Sequence, residues 1–326
     1  MYEQERLRQL RRVYSRQGWT LLIYYGILNL AVILVMVADI VFQTFSVALS
    51  GQELDEEQLL QAVETNSGWG YFLAIGVGLL ILLLWKKPRY VREKLFTPGK
   101  PMKFGSFLAL TAIFLSVQLF VQFWYMLLEY AANGFGYTLE EMAESAGGSA
   151  DSLSMFLYVG LGAPISEELL FRGLILRDMQ IYGKKFAIFA SSLLFGLYHG
   201  NLVQIPFAFA VGLVLAYVTV EYNIGWAIVL HTLNNLILSD TLVRLTEPLG
   251  LPWSELWFWG LIIGCTVAAV VILIVKRRQI KSWLGMYRDD PLCARSFWSA
   301  PGIITLLVIL GILTLVGTAL MLTPIT

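Results

Sequence analysis

The chain has 326 residues, of which 57% are hydrophobic and 14% are charged, and its formal net charge is zero. Soluble domains contain about 45–50% apolar and about 25% charged residues, so this composition, with a mean hydropathy of +0.69, excludes an ordinary soluble domain. The neutral charge balance gives no indication of nucleic-acid binding, and we expect no such partner. The composition instead predicts a polytopic membrane protein.

Nine apolar segments follow one another along the chain, and each is a candidate transmembrane helix. They cover about 19–49, 69–85, 105–132, 152–176, 184–199, 202–220, 226–243, 255–275 and 301–322. The first is longer than the apolar region of a signal peptide, which has about 7–15 residues, so we interpret it as a retained helix. The fifth and sixth are short, and they could form a hairpin that does not fully cross the membrane.

Basic and acidic connecting segments alternate between these apolar runs. The basic ones are 1–18, 86–103, 177–185 and 276–295. Lysine and arginine accumulate in cytoplasmic loops, and nine crossings from a cytoplasmic N-terminus place every basic segment on that side. We therefore predict an all-α transmembrane bundle of about eight or nine spans. No internal repeat with paired broken helices is present, which argues against an inverted-repeat transporter.

The fourth apolar segment carries charges in the stretch GLGAPISEELLFRG, from Gly160 to Gly173. An unpaired charge at the centre of a membrane helix costs about 2.5–3.5 kcal/mol or more. Glu168 and Arg172 are four residues apart and can form an ion pair on one helix face. Glu167 points about 100° away from Glu168, so its partners are expected on other helices. Gly160, Gly162 and Pro164 are expected to allow close packing and a kink.

The only two histidines of the chain also lie in apolar segments. His199 follows Phe195 by four residues, and His231 precedes Asn235 by four residues, so each pair shares a helix face. Depths estimated at ~1.5 Å per residue place Glu167 and His231 close together. His199 reaches the same depth only if the fifth helix is tilted or starts late.

Two kinds of chemistry suit these groups. In one, Glu167 and His199 activate a water molecule, while His231 and Asn235 donate hydrogen bonds to the oxyanion that forms during attack on a peptide bond. In the other, Glu167, His199 and His231 hold a divalent metal such as zinc with an open position. The usual HExxH zinc motif is absent, and both alternatives remain open at this stage.

Three motifs stand in order along the chain: EELLFR from Glu167 to Arg172, FGLYH from Phe195 to His199, and HTLNN from His231 to Asn235. Together they resemble the EExxxR, FxxxH and HxxxN pattern of the CPBP family. That family includes type II CAAX prenyl endopeptidases and bacteriocin-processing and self-immunity proteins. The resemblance covers about Ser152 to Ser239.

The resemblance implies an intramembrane endopeptidase that acts on a peptide or membrane protein. The enzyme would be a multi-pass protein of the cell membrane of a bacterium. It implies that Glu167 and His199 activate water and that His231 and Asn235 support the oxyanion. Glu168, Arg172 and Phe195 are then supporting residues. The family has been described both as metal-dependent and as glutamate-dependent, so a zinc ion and no cofactor are both compatible with it.

Four regions follow from this interpretation. They are a basic cytoplasmic N-terminus (1–18), helices one to three with acidic outer loops (19–151), a CPBP-like catalytic core (152–245) and C-terminal transmembrane helices (246–326). Two other functions are compatible with the same residues: a non-catalytic self-immunity or scaffold protein, and a proton-coupled transporter. The sequence indicates neither the substrate nor the oligomeric state.

Overall fold

The structure is a computed structural model, and it describes residues 2–50, 56–86, 90–147, 152–236, 248 and 250–325. Helices dominate these segments. Within them the strands are β1 (Tyr137–Thr138) and β2 (Thr323–Pro324), which form one short antiparallel pair. The predicted all-α, polytopic class is therefore confirmed.

The helices of the described segments follow one another in the order of the predicted apolar runs, with short polar helices between them. They are α1 (Tyr2–Ser50), α2 (Glu56–Lys86), α3 (Phe104–Asn133), α4 (Glu140–Gly147), α5 (Leu153–Met179), α6 (Lys184–Tyr198), α7 (Gln204–Glu221), α8 (Ile224–Leu233), α9 (Trp253–Met286), α10 (Cys293–Trp298) and α11 (Pro301–Leu320). A π-helical turn, Val91–Leu95, lies between α2 and α3. Helix α5 is composite, because it contains two π-helical stretches, Tyr158–Gly162 and Glu168–Leu176.

Six described helices are long and apolar enough to cross a membrane: α1, α3, α5, α7, α9 and α11. The other predicted spans are shorter in the structure. The apolar part of α2 covers Ser67–Ile81, α6 has 15 residues and α8 has 10. The end of the seventh predicted span, from residue 237 onward, lies outside the described residues. The count of eight or nine spans and the cytoplasmic N-terminus therefore stay predictions.

The predicted basic segments meet at one end of the bundle, which we call the basic end. Arg6 Nε lies 2.9 Å from Asp290 Oδ2, and Lys100 Nζ lies 2.5 Å from Glu221 Oε2. Asp178, at the end of α5, is the central acceptor there. Its Oδ2 accepts from Lys86 Nζ at 2.5 Å and from Gln17 Nε2 at 3.1 Å. These contacts connect α1, α2, α5 and the segment after α9.

The opposite end is closed by the short strands and by α4. Strand β1 follows α3, and β2 follows α11, so their pairing joins two distant parts of the chain. Asn201, in the turn between α6 and α7, donates from Nδ2 to Met142 O on α4 at 2.9 Å. Its Oδ1 accepts from Val203 N at 2.9 Å. One asparagine thus fixes the turn and binds it to α4.

Helices α5 and α7 lie deepest in the bundle. In their most apolar windows 44% of the residues are buried, against 11% for α1, α3 and α9. Helix α5 contacts α2, α6, α7 and α8, while α9 packs mainly on α3. The charged residues of α5 are therefore surrounded by protein, and the many exposed apolar side chains of the outer helices suit contact with lipid.

The contact between α1 and α11 depends on two glycines. A Cβ atom at Gly18 would lie 2.3 Å from the backbone carbonyl carbon of Gly302, whereas a Cβ atom at Gly26 would meet nothing within 4 Å. We expect Gly18→Ala to destabilise the protein by about 1–3 kcal/mol, because the crowded atoms are backbone and cannot rotate away. The matched control, Gly26→Ala on the same helix, should be neutral or slightly stabilising. Reversible denaturation in detergent measures both, and equal stabilities would contradict the packing.

Candidate active site

The two glutamates sit where α5 changes its geometry. A regular α-helical stretch ends at Glu167, and a π-helical stretch begins at Glu168. Such π segments occur often at functional sites. Close packing around this part of α5 was predicted from its glycines, and the structure agrees. A Cβ atom at Gly160 would lie 2.2 Å from Leu236 Cδ2, and one at Gly162 would lie 2.8 Å from Phe72 Cε1.

Glu168 connects an arginine and a histidine. Its Oε1 lies 3.0 Å from Arg172 Nη1, and both side chains are completely buried. The same oxygen lies 2.9 Å from His231 Nδ1 on α8. The ion pair expected from the four-residue spacing is thus present. The bond to His231 is new, because the sequence assigned that histidine to Glu167. A carboxylate can only accept here, so Nδ1 of His231 carries the proton.

Phe195 lies against both histidines and against the arginine. Its ring is edge-on to His199 with centroids 4.8 Å apart, and edge-on to His231 at 5.9 Å. Arg172 Cζ lies 4.2 Å from the Phe195 ring centroid, and Arg172 Nη2 donates to Gly212 O at 3.3 Å. The contacts fit the supporting role that the motif assigns to Phe195, because one ring packs against three of the polar groups.

Glu167 is the more accessible of the two glutamates, with 22% of its side chain exposed. Its Oε2 lies 3.8 Å from Nε2 of His231. The hydroxyl-bearing rings of Tyr24, Tyr158 and Tyr198 lie within electrostatic range of the Glu167 carboxylate. Sequence reasoning missed these tyrosines. Only Tyr198 could have been noticed, because it directly precedes His199 in the second motif.

His199 lies at the end of α6, next to the turn that contacts α4. Its Nδ1 lies 2.8 Å from Phe195 O. A carbonyl oxygen only accepts, so Nδ1 donates, and Nε2 is the ring atom that can accept a proton. His199 is within electrostatic range of Glu167 and of His231. The depth estimated from the sequence fitted His199 least well, yet His199 lies within electrostatic range of the other two groups. Helix α6 begins at Lys184, so a late start of this helix is not the reason.

Asn235, which the sequence suggested as a donor to the oxyanion, forms hydrogen bonds within the protein. Its Nδ2 donates to Val159 O on α5 at 2.9 Å, and its Oδ1 accepts from Asn234 Nδ2 at 3.0 Å. The amide therefore connects α8 to the π-helical stretch of α5. Direct donation by Asn235 to an oxyanion stays a prediction from the sequence.

The residues present can be tested against a metal site. Across the described segments, no group of three or more His, Cys, Asp or Glu side chains is arranged to hold a metal ion. His231 Nδ1 is bound to Glu168 and His199 Nδ1 to a carbonyl, and these bonds leave the Nε2 atom of each ring available, as in metal-ligating histidines. The second coordination partners of a metal site are thus present, but within the described segments Glu167, His199 and His231 are not gathered closely enough to form a ligand set.

Fold and site together define a multi-pass membrane protein with a buried glutamate, arginine and histidine cluster. Residues 149–237 match the model of a family described as Rce1-like, type II CAAX prenyl endopeptidase. All three motifs lie in this segment, so the resemblance to the CPBP family is confirmed there. The comparisons with curated proteins and with solved structures found no match.

Proposed function

We propose that the protein is an intramembrane endopeptidase that hydrolyses a peptide bond of a membrane-associated peptide or protein. The carrying observation is that Glu167 Oε2 lies 3.8 Å from His231 Nε2, and that His199 lies within electrostatic range of both groups. Each group comes from a different motif of the Rce1-like segment. Balancing the charge of Arg172 would need only one carboxylate, so the other polar groups from the three helices require another explanation. Together they supply a base and hydrogen-bond donors.

Glu167 and His199 are proposed to activate the water. Glu167 is partly exposed, and its oxygens are acceptors. Nε2 of His199 is also an acceptor, because Nδ1 donates to the Phe195 carbonyl. Two acceptors can hold the two hydrogens of one water molecule and orient its lone pair toward a carbonyl carbon. Glu167 then takes one proton as the new carbon–oxygen bond forms.

His231 is proposed to stabilise the oxyanion. Its Nδ1 donates to Glu168 at 2.9 Å, and Glu168 is itself held by Arg172. In a doubly protonated ring, Nδ1–H donates to Glu168 and Nε2–H can donate to the negative oxygen. When the tetrahedral intermediate collapses, the carbon–nitrogen bond breaks. The proton on Glu167 then moves to the leaving nitrogen, so that one acid and one amine are released. Asn235 helps by holding α8 against Val159.

The proposal also covers the substrate and the location of the protein. A catalytic group buried among membrane-spanning helices requires a substrate in or on the bilayer, and a cell membrane of a bacterium is the proposed location. The matched family is described as a prenyl endopeptidase, which makes a prenylated CAAX peptide one suitable probe. Peptides without a prenyl group are the second probe, because no described residue indicates recognition of the lipid group.

The proposal is tested with purified protein in nanodiscs, incubated in H₂¹⁸O with a farnesylated CAAX peptide and a library of unmodified apolar peptides. Hydrolysis should place one ¹⁸O atom in the new carboxyl group, as read by mass spectrometry. His231→Ala should remove the product while the protein still elutes as a folded species. Product formation at the wild-type rate by this variant would overturn the assigned role of His231.

A chelator and added zinc form the second arm of this test. If water is activated by Glu167 and His199 alone, cleavage should persist after chelation. Loss of cleavage that zinc restores would instead establish the metal alternative. Absence of cleavage of every probe, with wild-type and Glu167→Gln proteins conferring equal protection against a bacteriocin, would favour the non-catalytic immunity function.

A further inference from the structure

A cavity lies at the basic end, away from the glutamates and histidines of the candidate active site. It has a volume of about 360 Å³ and lies where the ends of α5 and α7 meet the loop before α3. Its lining includes Thr97, Arg177, Gln180, Lys184 and Thr219. This volume falls in the range of about 300–1,000 Å³ that small ligands occupy. Two cations and three neutral polar side chains thus line one small cavity.

Arg177 is the unusual member of this lining. Only 7% of the residue is exposed, and its Nε is buried with no hydrogen-bond partner among the described residues. Its Nη2 donates to Thr219 O at a long 3.4 Å. Across the described segments it forms no ion pair with a carboxylate. A buried, unpaired charge is costly, so such a group is normally compensated.

The neighbouring carboxylates are already engaged by other groups. Asp178 receives Lys86 Nζ at 2.5 Å and Arg16 Nη2 at 3.4 Å. Glu221 receives Lys100 Nζ at 2.5 Å and Trp283 Nε1 at 2.8 Å. Both acids therefore already have cations of their own, and Asp289 accepts from the backbone N–H groups of Lys185 and Phe186. Arg177 is left without an ion pair among the described residues.

Lys184 adds the second charge of the cavity. Its Nζ lies 4.1 Å from the Tyr287 ring centroid, and the ammonium is within electrostatic range of Glu221, which Lys100 already contacts. Arginine and lysine together are the usual pair for phosphate oxygens, because the guanidinium donates in a fork and the ammonium acts as a point charge. Basic pockets between helices at the cytoplasmic side of membranes bind anionic lipid headgroups.

We propose that Arg177 and Lys184 form a binding site for the phosphate group of an anionic phospholipid at the basic end of the bundle. Arg177 Nε and Nη2 donate to the phosphate oxygens, and Lys184 supplies the second charge. The Gln180 amide offers a further hydrogen bond. Free inorganic phosphate presents the same chemistry, and the experiment separates the two sources. The proposal does not depend on the proposed protease activity.

The test measures lipid binding to the full chain in nanodiscs by native mass spectrometry and by thermal unfolding. Discs contain phosphatidylcholine alone, phosphatidylcholine with phosphatidylglycerol, or phosphatidylcholine with added inorganic phosphate. We expect phosphatidylglycerol to be retained and to raise the unfolding temperature. Arg177→Gln and Lys184→Gln should each weaken retention by about ten- to a hundredfold, the loss expected for a charge-assisted hydrogen bond.

Arg278→Gln is the matched control, because this exposed arginine lies at the same end, on α9, outside the cavity. It should leave retention within about twofold of wild type, since exposed charges contribute little. If Arg177→Gln fails to fold, Lys184→Gln carries the test, because Lys184 is half-buried at the start of α6. A shift with inorganic phosphate alone would assign the site to soluble phosphate. Equal lipid retention by wild type, Lys184→Gln and Arg278→Gln would overturn the proposal.

Discussion

Glu167→Gln should reduce peptide hydrolysis by about 10²–10⁴-fold, the usual contribution of a general base. The amide keeps the size of the side chain but cannot take a proton from water. Stability should change little, because 22% of the side chain is exposed and its contact with His231 is 3.8 Å long. The measurement is the initial rate of ¹⁸O incorporation into the cleaved probe, with unfolding followed in parallel.

Glu255→Gln is the matched control for this change. Glu255 lies in the first turn of α9 and is exposed, so the same chemical change there should leave the rate unaltered. A Glu167→Gln protein that hydrolyses the probe as fast as the Glu255→Gln protein would remove Glu167 from the mechanism. Equal loss in both variants would point to a general effect of altered charge.

Arg172→Met should give the largest loss of stability, about 3–5 kcal/mol, the cost of breaking a buried ion pair from one side. Both Arg172 and Glu168 are fully buried, so removing the guanidinium leaves a carboxylate with His231 as its remaining polar contact. The contact of Arg172 with the Phe195 ring is lost as well. Chemical denaturation in detergent micelles measures the change in the free energy of unfolding.

The double variant Glu168→Gln, Arg172→Met separates charge from packing. If the single change is costly because Glu168 loses its partner, the double variant should recover a large part of the stability. Activity should not return, because His231 then lacks the carboxylate that orients it. A double variant whose loss equals the sum of the two single losses would show that the two side chains do not interact.

The three motifs could be found from sequence because each is local. Glu168 and Arg172 share one helix face, and their 3.0 Å contact follows from a four-residue spacing. The hydropathy pattern likewise predicted the order of the helices, and the charge pattern predicted that the basic segments lie on one side. The contact of Arg6 with Asp290 joins two of these segments. Periodicity and composition carry this information in a single chain.

Contacts between helices were not predictable in the same way. The sequence placed His231 near Glu167, and His231 Nε2 does lie 3.8 Å from Glu167 Oε2, but the hydrogen bond of His231 Nδ1 to Glu168 was not predicted. A 100° rotation per residue holds in a regular α-helix, and a π-helical stretch begins at Glu168. Nor does any local pattern state that Asn235 reaches the Val159 carbonyl. Such contacts depend on how each helix is rotated and shifted against its neighbour.

The tyrosines near Glu167 and the cavity at Arg177 show a second limit. Tyr24 and Tyr158 lie on different helices, and the chain contains 15 tyrosines, so composition singles out none of them. Arg177 looked like one more positive charge in a basic loop. The adjacent Asp178 contacts Lys86 and Arg16, and among the described residues it forms no ion pair with Arg177. Which charges compensate one another is decided by three-dimensional neighbours.

The contact between α1 and α11 has a consequence for the order of assembly. Gly302 N donates to Ser15 Oγ at 2.9 Å across a sequence separation of 287 residues. Synthesis proceeds from the N-terminus, and segments fold as they emerge. Helix α1 therefore waits in the bilayer, with its Gly18 face open, through the insertion of every intervening helix. Among the described helices, the contact between α1 and α11 can form only after α11 has been made, so this docking step comes late in assembly.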